Sequence, residues 1–474
     1  MQQRGPRIAL WGLYDVDGYA DCLDARIFDY ELTRRLPHTR VDIFAPVARA
    51  LPANALRAPS PLGRYTAMRQ ADFAERYDLV AVGGEVIHGR ADEYERLYGP
   101  GTALDPSWFF IEGLGDELER RCAVAWHAVG VPFELDEEES QRVEDALDSK
   151  AYVSVRDELS LERLAATGSR QEVAVVPNTA LLVRRVMSDE VLEKRLAYIR
   201  LLEWYPPRKP PLVVQGDDSL LPHVGAIAVA LEQVRRREPI VLLDLCPAKG
   251  NRSFSKGLKE ALGDEAYRLD ELATVEDLAA AIGNAGAFLG SSAAGVSTAL
   301  AFGVPALHLA PDRLSSVQVA KAVTTLVGQS EPAPKDELLA RLDTHFDILA
   351  ELAERSWRER LGERGDPTAT AAAFGRALAE AEEHTDLLLR AYETRGARLV
   401  AERLRFAELA DARAASAETG RTEELMLRNA ELENQLQLLD AAEGAARSER
   451  DALAAEVERL HTELETRRRG ESGA

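Results

Sequence analysis

Ten short apolar runs, each followed by a stretch of helical pattern, constrain this chain more than any other feature. RIALWG, VDIFAP, DLVAVGG, CAVAWHA, AYVSVR and VAVVPN come first; PLVVQG, IVLLDLC, AFLGSS and PALHLA follow. Runs this short, rich in Val, Ile, Leu and Ala and bounded by Gly or Pro, read as buried strands, and strands alternating with helices build parallel sheets through βαβ units. The stretch from Trp204 to Pro211, WYPPRKPP, interrupts the alternation with four prolines in eight residues. It reads as a linker between two α/β domains. The expected fold is therefore α/β, with two Rossmann-like parallel-sheet domains in residues 1–205 and 212–366 joined by a Pro-rich linker at 206–211.

A third part is expected beyond Pro367, the last of the 22 prolines. Proline breaks helix interiors, so a proline-free tail can carry long helices. Leu425, Leu432, Leu439, Ala446, Leu453 and Leu460 recur every seven residues, interleaved with Asn429, Leu436, Glu443, Arg450, Val457 and Leu464. That is a heptad pattern with apolar seams, weakened around Glu443 to Arg450 and at Gly444, and Asn429 in the seam would set register. A single exposed amphipathic helix would show the same spacing; a coiled coil buries the leucines. The expected tail is a helical connector at 367–419, a self-associating coiled coil at 420–466 and a disordered end at 467–474.

Composition excludes several classes. The chain has 474 residues and a formal net charge of −22, which argues against a nucleic-acid binder resting on a basic footprint. No window holds the roughly 20 uncharged apolar residues of a membrane span, and the first residues lack the apolar core and cleavage site of a signal peptide. The three cysteines, Cys22, Cys122 and Cys246, are too few and too scattered for a disulfide framework or a zinc cage. No carboxylate or histidine cluster has metal-ligand spacing. The expectation is a cytoplasmic protein without a metal or resident cofactor.

Ligands of open α/β sheets bind beyond the carboxyl ends of the strands, so the residues after each run are the candidates. After the first run, a Gly/Asp loop leads into Tyr19, Asp21 and Asp24. Such a loop can cradle an anion with its amides, or the acidic residues simply favour the helix dipole. Gly83 and Gly84 allow close backbone approach or make a tight turn, and His88 follows in the loop. Arg156 ends a strand and could clamp a carboxylate or phosphate, or pair with Asp157 or Glu158. Ser291, Ser292 and Gly295 sit where a strand passes into a helix, a natural anion site or an ordinary serine cap.

Taken in order, several segments resemble the polysaccharide pyruvyltransferase family over roughly residues 7–360. WGLYDVDGYAD (11–21) is similar to the family's opening, DLVAVGGEVIHG (78–89) to its Gly-Gly strand end, and VSVRDELSLERLAATG (153–168) to its Ser-x-Arg-Asp segment. VVPNTALLV (175–183) resembles its proline motif. GSSAAGVSTALAFGVPAL (290–307) takes the place of its Ser-x-Arg-x-His-Gly helix. The resemblance implies a GT-B-like arrangement of the two domains. It also implies transfer of the enolpyruvyl unit of phosphoenolpyruvate to a sugar as a ketal, with Arg156 as the donor-binding arginine. The implied partners are a small-molecule donor and a glycan acceptor.

The departures fall on reactive groups. The family's arginine and histidine in the last motif fall on Ser292 and Ala294, its asparagine and glycine in the first on Gly18 and Ala20, and the aspartate of the proline motif on Asn178. DLCPAKGNRSF (244–254) keeps Cys246 of a Cys-His-Gly-Asp run without its histidine and aspartate. Three readings stay open: an active pyruvyltransferase-like enzyme on cell-envelope or exopolysaccharide sugars, with His88, His127, Lys249 or Arg252 replacing the lost group; an inactive member that binds or assembles through its cleft and coiled coil; and a nucleotide-sugar glycosyltransferase of GT-B type.

Overall fold

The computed structural model describes residues 5–14, 16, 18–45, 63–64, 76–84, 122–131, 133–246, 251–263, 266–269, 273–309 and 335–363. Two sheets organise them, and every strand pair in both is parallel. The first contains β1 (Arg7–Trp11), β2 (Arg40–Ala45), β3 (Gly63–Arg64), β4 (Leu79–Gly83), β5 (Ala123–Val129), β6 (Tyr152–Val155) and β7 (Val173–Val175). Its spatial order is β3-β2-β1-β4-β5-β6-β7. The second contains β8 (Leu212–Gln215), β9 (Ile240–Leu243), β10 (Tyr267–Arg268), β11 (Ala287–Gly290) and β12 (Ala306–His308), in the order β10-β9-β8-β11-β12. All ten apolar runs are strands. The two-residue strands β3 and β10 were not foreseen, because two residues carry no periodicity. The coiled coil expected at 420–466 lies outside the described residues, as does all of the chain after 363.

The two faces of the first sheet separate by the two-residue period of a strand. One face sends Ala9, Trp11, Val80, Val82, Val124 and Trp126 into a core closed by Val143, Ala146 and Leu147 of α2 (Glu137–Leu147). The other meets α1 (Tyr19–Arg35) and, from the end of the described chain, α10 (Lys335–Glu363). Leu342, His345, Phe346, Leu349 and Ala353 make the buried stripe of α10. Phe346 packs edge-on against Phe28 of α1. Ions hold the same seat: Arg35 of α1 bonds Asp343 at 2.9 Å and Asp347 at 2.6 Å, and Arg185 of α4 (Val183–Val186) bonds Asp343 through both guanidinium ends at 2.6 and 2.8 Å. The Asp343 carboxyl is held down at about 2, mainly by the Arg185 hydrogen bond.

The second sheet buries Leu212, Val214, Ile240, Leu242 and Leu289 against α6 (Val224–Arg235) and α7 (Asn251–Leu262), through Ile227, Leu231, Phe254 and Leu258. Three contacts tie its helices to α1, which follows β1, and to α5 (Asp189–Leu201), which follows the last strand of the first sheet. Tyr19 at the start of α1 shares a buried hydrogen bond with Thr298 of α9 (Ala293–Ala301) at 2.8 Å. Arg26 of α1 pairs with Glu276 of α8 (Val275–Gly283). Arg195 of α5 grips the buried Asp277 carboxylate at 2.7 and 2.6 Å.

Candidate functional site

In the order β3-β2-β1-β4, the direction of winding reverses between β1 and β4, and crevices for ligands open at such reversals. The strand ends here are built from glycine. Tyr14 lies across Gly12 and Gly83, so that a Cβ on either would stand 2.5 Å from its ring or hydroxyl. Gly84 has φ +78°, a left-handed conformation that suits glycine, and a Cβ there meets nothing within 4 Å among the described residues. Its carbonyl accepts the amide of Gly130 at 3.0 Å. Above Gly130 lies the guanidinium of Arg156, so close that a Cβ on Gly130 would sit 2.3 Å from it. Gly83, Gly84 and Arg156, singled out separately in the sequence, thus share one edge at the ends of β4, β5 and β6. Arg156 also approaches Asp157 at 3.7 Å, while Asp157 caps α3 (Glu158–Ala165) through the Ser160 amide.

Beside this edge runs a chain of polar groups that the sequence does not announce. Asp24 of α1 receives Thr179 at 2.6 Å on one carboxylate oxygen and Tyr14 at 2.9 Å on the other. His127 Nε2 lies 3.3 Å from the first of these oxygens. His127 Nδ1 lies 2.7 Å from Nε2 of His345 on α10, and His345 Nδ1 lies 3.0 Å from the hydroxyl of Tyr152 on β6. The two imidazoles stack with ring centres 5.0 Å apart. The His127 side chain is 0% exposed, whereas that of Asp24 is 18% exposed. Asp24 is therefore the member of the pair that solvent or a ligand can touch.

Charge follows geometry. Burial alone would raise Asp24, but the charge His127 can carry and hydrogen bonds from His127, Thr179 and Tyr14 outweigh it and hold the carboxyl below its usual range. Burial, then the neighbouring Asp24, pushes the Tyr14 phenol well up. Burial drives His345 well below the ordinary histidine value, with His127 and Arg35 adding to the effect, so His345 is held neutral.

The backbone behind His127 is bent to serve this arrangement. The register of β5 on β6 shifts between Trp126 and Val129, and Ala128 has φ +48°. Ser154 of β6 secures the irregularity: its hydroxyl accepts the Ala128 amide at 2.8 Å and donates to the Trp126 carbonyl at 2.8 Å. A bulge re-aims a side chain at the cost of a ladder bond, and here the side chain is His127.

The second sheet reverses between β8 and β11, where Gln215 and the Gly/Ser loop meet. Ser292 caps α9 through the Gly295 amide at 3.2 Å, and its own amide donates to Gln215 Oε1 at 2.8 Å. Ser291 donates to the Asp217 carboxylate at 2.8 Å, and its carbonyl lies 2.9 Å from His308 Nε2. A carboxylate of the protein thus stands at this helix start. A Cβ on Gly295 would press within 2.6 Å of Phe288 and 2.9 Å of Leu245, so glycine here lets the helix lie on the strand. Ala294 is buried. The Tyr19 amide donates to Leu245 O at 2.7 Å, which sets Gly18 within reach of the Cys246 sulfur and the Asp21 carboxylate beside it. Arg252 is exposed on α7; His88 and Lys249 lie outside the described residues. No group of three or more metal-ligating side chains gathers among the described residues, and no helix among them is long and apolar enough to cross a membrane.

Of the groups at the first edge, Tyr14, Tyr152, Thr179 and His345 escaped the sequence reading, and Asp24 was read only as a helix-start acid. His345 carried a signal: it stands between Leu342, Phe346 and Leu349 on the apolar stripe of α10, where an imidazole needs a buried partner.

Two parallel α/β sheets, with a glycine and arginine edge on the first and a serine-capped helix on the second, define the general class. The chain belongs to the polysaccharide pyruvyl transferase family, whose model matches residues 13–313. No curated protein matches it. Among solved structures, it is similar to ADP-heptose LPS heptosyltransferase II of E. coli (12% identity, 68% of this chain and 99% of that one, TM-score 0.35). It is also similar to the UDP-N-acetylglucosamine 2-epimerase of Rickettsia bellii (13%, 76% and 97%, 0.43) and the UDP-GlcNAc 2-epimerase of Neisseria meningitidis (12%, 73% and 93%, 0.41). Likenesses of that size carry no argument about chemistry.

Proposed function

We propose that this chain transfers the enolpyruvyl unit of phosphoenolpyruvate to a sugar of a cell-envelope glycan or exopolysaccharide, forming a ketal, with its two sheet domains in a GT-B-like arrangement. The observation that carries the reading is the edge made by Gly83, Gly84, Gly130 and Arg156. It sets a left-handed glycine, over which no described residue stands within 4 Å of a Cβ, beside a guanidinium, the group best shaped to hold a carboxylate or phosphate through two bonds. Tyr19, Asp21, Ser291, Ser292 and Gly295 complete the binding surface in this reading. The division into 1–205, 206–211 and 212–366 goes with it, as does self-association through the heptads of 420–466.

A second reading is an inactive member that keeps the binding surface for assembly. Ala294, buried where the resemblance expects a histidine, favours it. Calorimetry with phosphoenolpyruvate on the parent and on Arg156→Ala tests the binding half: the parent binds and the variant does not. Phosphate release with candidate glycans tests the other half, and binding without release selects the second reading. Sedimentation of the full chain beside one ending at residue 366 tests assembly. A full chain that is monomeric at tens of micromolar removes the coiled coil.

A further inference from the structure

We propose that Asp24 is the base of the transfer and that His127, His345 and Tyr152 are the residues that position and charge it. The inference rests on the pyruvyl-transfer reading and names the group that works where the family's histidine is absent. Two independent features support it. The first is the hydrogen-bond chain. An ionised carboxylate only accepts, so Thr179, Tyr14 and His127 Nε2 all donate to Asp24. His127 Nδ1 then faces His345 Nε2, and His345 Nδ1 faces Tyr152, a sequence that fixes both rings. The second is the β5 bulge. A non-glycine residue with positive φ persists only where its surroundings over-determine it, and Ser154 does so on both sides of His127. Bend and chain converge on a carboxylate that is 18% exposed and has one oxygen 3.5 Å from where a Cβ on Gly83 would stand.

The acceptor hydroxyl oxygen forms a bond to C2 of phosphoenolpyruvate and its proton passes to Asp24. The C2=C3 electrons take a proton from solvent, turning the methylene into a methyl group. A second sugar hydroxyl bonds C2 and loses its proton to solvent as the C2–O bond to phosphate breaks. The electron pair leaves with the phosphate, which also takes the proton from Asp24. With water in place of the sugar, the products are pyruvate and phosphate, so the chemistry can be followed without the natural glycan.

The ionisable groups around the chain come from four elements. Asp21 and Asp24 stand on α1 with Glu31, Arg34 and Arg35; His127 on β5; Tyr152 on β6; and Asp343, His345 and Asp347 on α10. Tyr14 and Arg185 stand close by. His127 and then Arg35 bear electrostatically on His345, and Arg35 is itself paired with Glu31, Asp343 and Asp347.

The test uses the full chain and phosphoenolpyruvate, with water alone and with added glycans. Phosphate release, pH profiles, calorimetric binding and thermal melts are measured. Asp24→Asn keeps the shape and should lower kcat by about 10²- to 10⁴-fold, the usual worth of acid–base help, with donor binding retained. His345→Leu should move the acid limb of the kcat profile to higher pH, because a carboxylate with weaker donors is protonated sooner; His345→Gln, whose amide can still pair with His127, should restore part of the shift. A purely structural role would lower the melting temperature and leave the limb in place. Equal turnover by Asp24→Asn and the parent overturns the assignment. Donor binding by the parent without turnover also overturns it, while sparing the binding half of the family reading. Failure of the parent to bind phosphoenolpyruvate at all overturns the pyruvyl-transfer reading itself.

Discussion

Removing the Ser154 hydroxyl should cost stability and misplace His127 together. Ser154→Ala deletes the acceptor for the Ala128 amide and the donor to the Trp126 carbonyl, in a position with no solvent to replace it. A buried amide left unpaired costs about 1–3 kcal/mol, and the carbonyl, with its second lone pair, adds less. Against this, the left-handed conformation of Ala128 stores about 1–2 kcal/mol, part of which is released if the bulge relaxes. The expected net loss is about 2 kcal/mol. Ala128→Gly tests the opposing contribution alone. Glycine removes the Cβ strain but loses about 0.4–1 kcal/mol through the freedom it adds to the unfolded chain, so this variant should be neutral to slightly stabilised. Urea denaturation followed by tryptophan fluorescence, with Trp126 next to the change, reads both. Ser154→Ala within about 0.5 kcal/mol of the parent would refute the hydrogen-bond account, since so small an effect is that of an ordinary surface change. Marked destabilisation by Ala128→Gly would refute the strain.

Acidification should loosen the fold through His345. Its folded-state value lies well below 6.5, so the unfolded chain binds the extra proton first; the contribution is fully present above about pH 6.5 and is lost as pH falls below it, at up to about 1.4 kcal/mol per pH unit. Denaturation at pH 7.5, 6.5 and 5.5 should show that slope in the parent and its loss in His345→Gln. Arg195→Ala strands the buried Asp277 carboxylate, with only its own capping bonds left, and should cost about 3 kcal/mol by the same assay. Gly130→Ala drives a methyl group into the Arg156 guanidinium and should weaken phosphoenolpyruvate binding in calorimetry nearly as far as Arg156→Ala, with the melting temperature little changed.

The central strands were legible because β4, β8, β9 and β11 are buried throughout, and burial writes continuous apolar runs into the sequence. One helix start was legible from residue type: the serine loop at Ser291 and Ser292 reads as an anion site or a cap, and Ser292 caps; Asp157, read as an ion-pair partner of Arg156, caps as well. The polar chain was hidden because its members come from six separate segments, at Tyr14, Asp24, His127, Tyr152, Thr179 and His345. No local spacing ties Asp24 to a histidine more than 300 residues away. Gly83, Gly84 and Arg156 were each visible as strand-end residues, but only the pairing of β4, β5 and β6 makes them neighbours. Ala128 gave no sign at all, since alanine in a strand run looks like ordinary core until the bulge lifts its φ above zero.

The seat of α10 on the first sheet has a consequence for how the chain is made. Arg35 and Asp347, which bond each other, are 312 residues apart. A ribosome moving at about 5–20 residues per second needs roughly 15–60 s to cover that distance. Until α10 emerges, Phe28 and His127 lack the Phe346 and His345 rings that pack on them in the finished molecule. The amino-terminal sheet thus emerges early and is completed late. Its nascent form presents apolar surface to whatever holds unfinished chains, and a stall or truncation ahead of residue 342 leaves that surface permanently open.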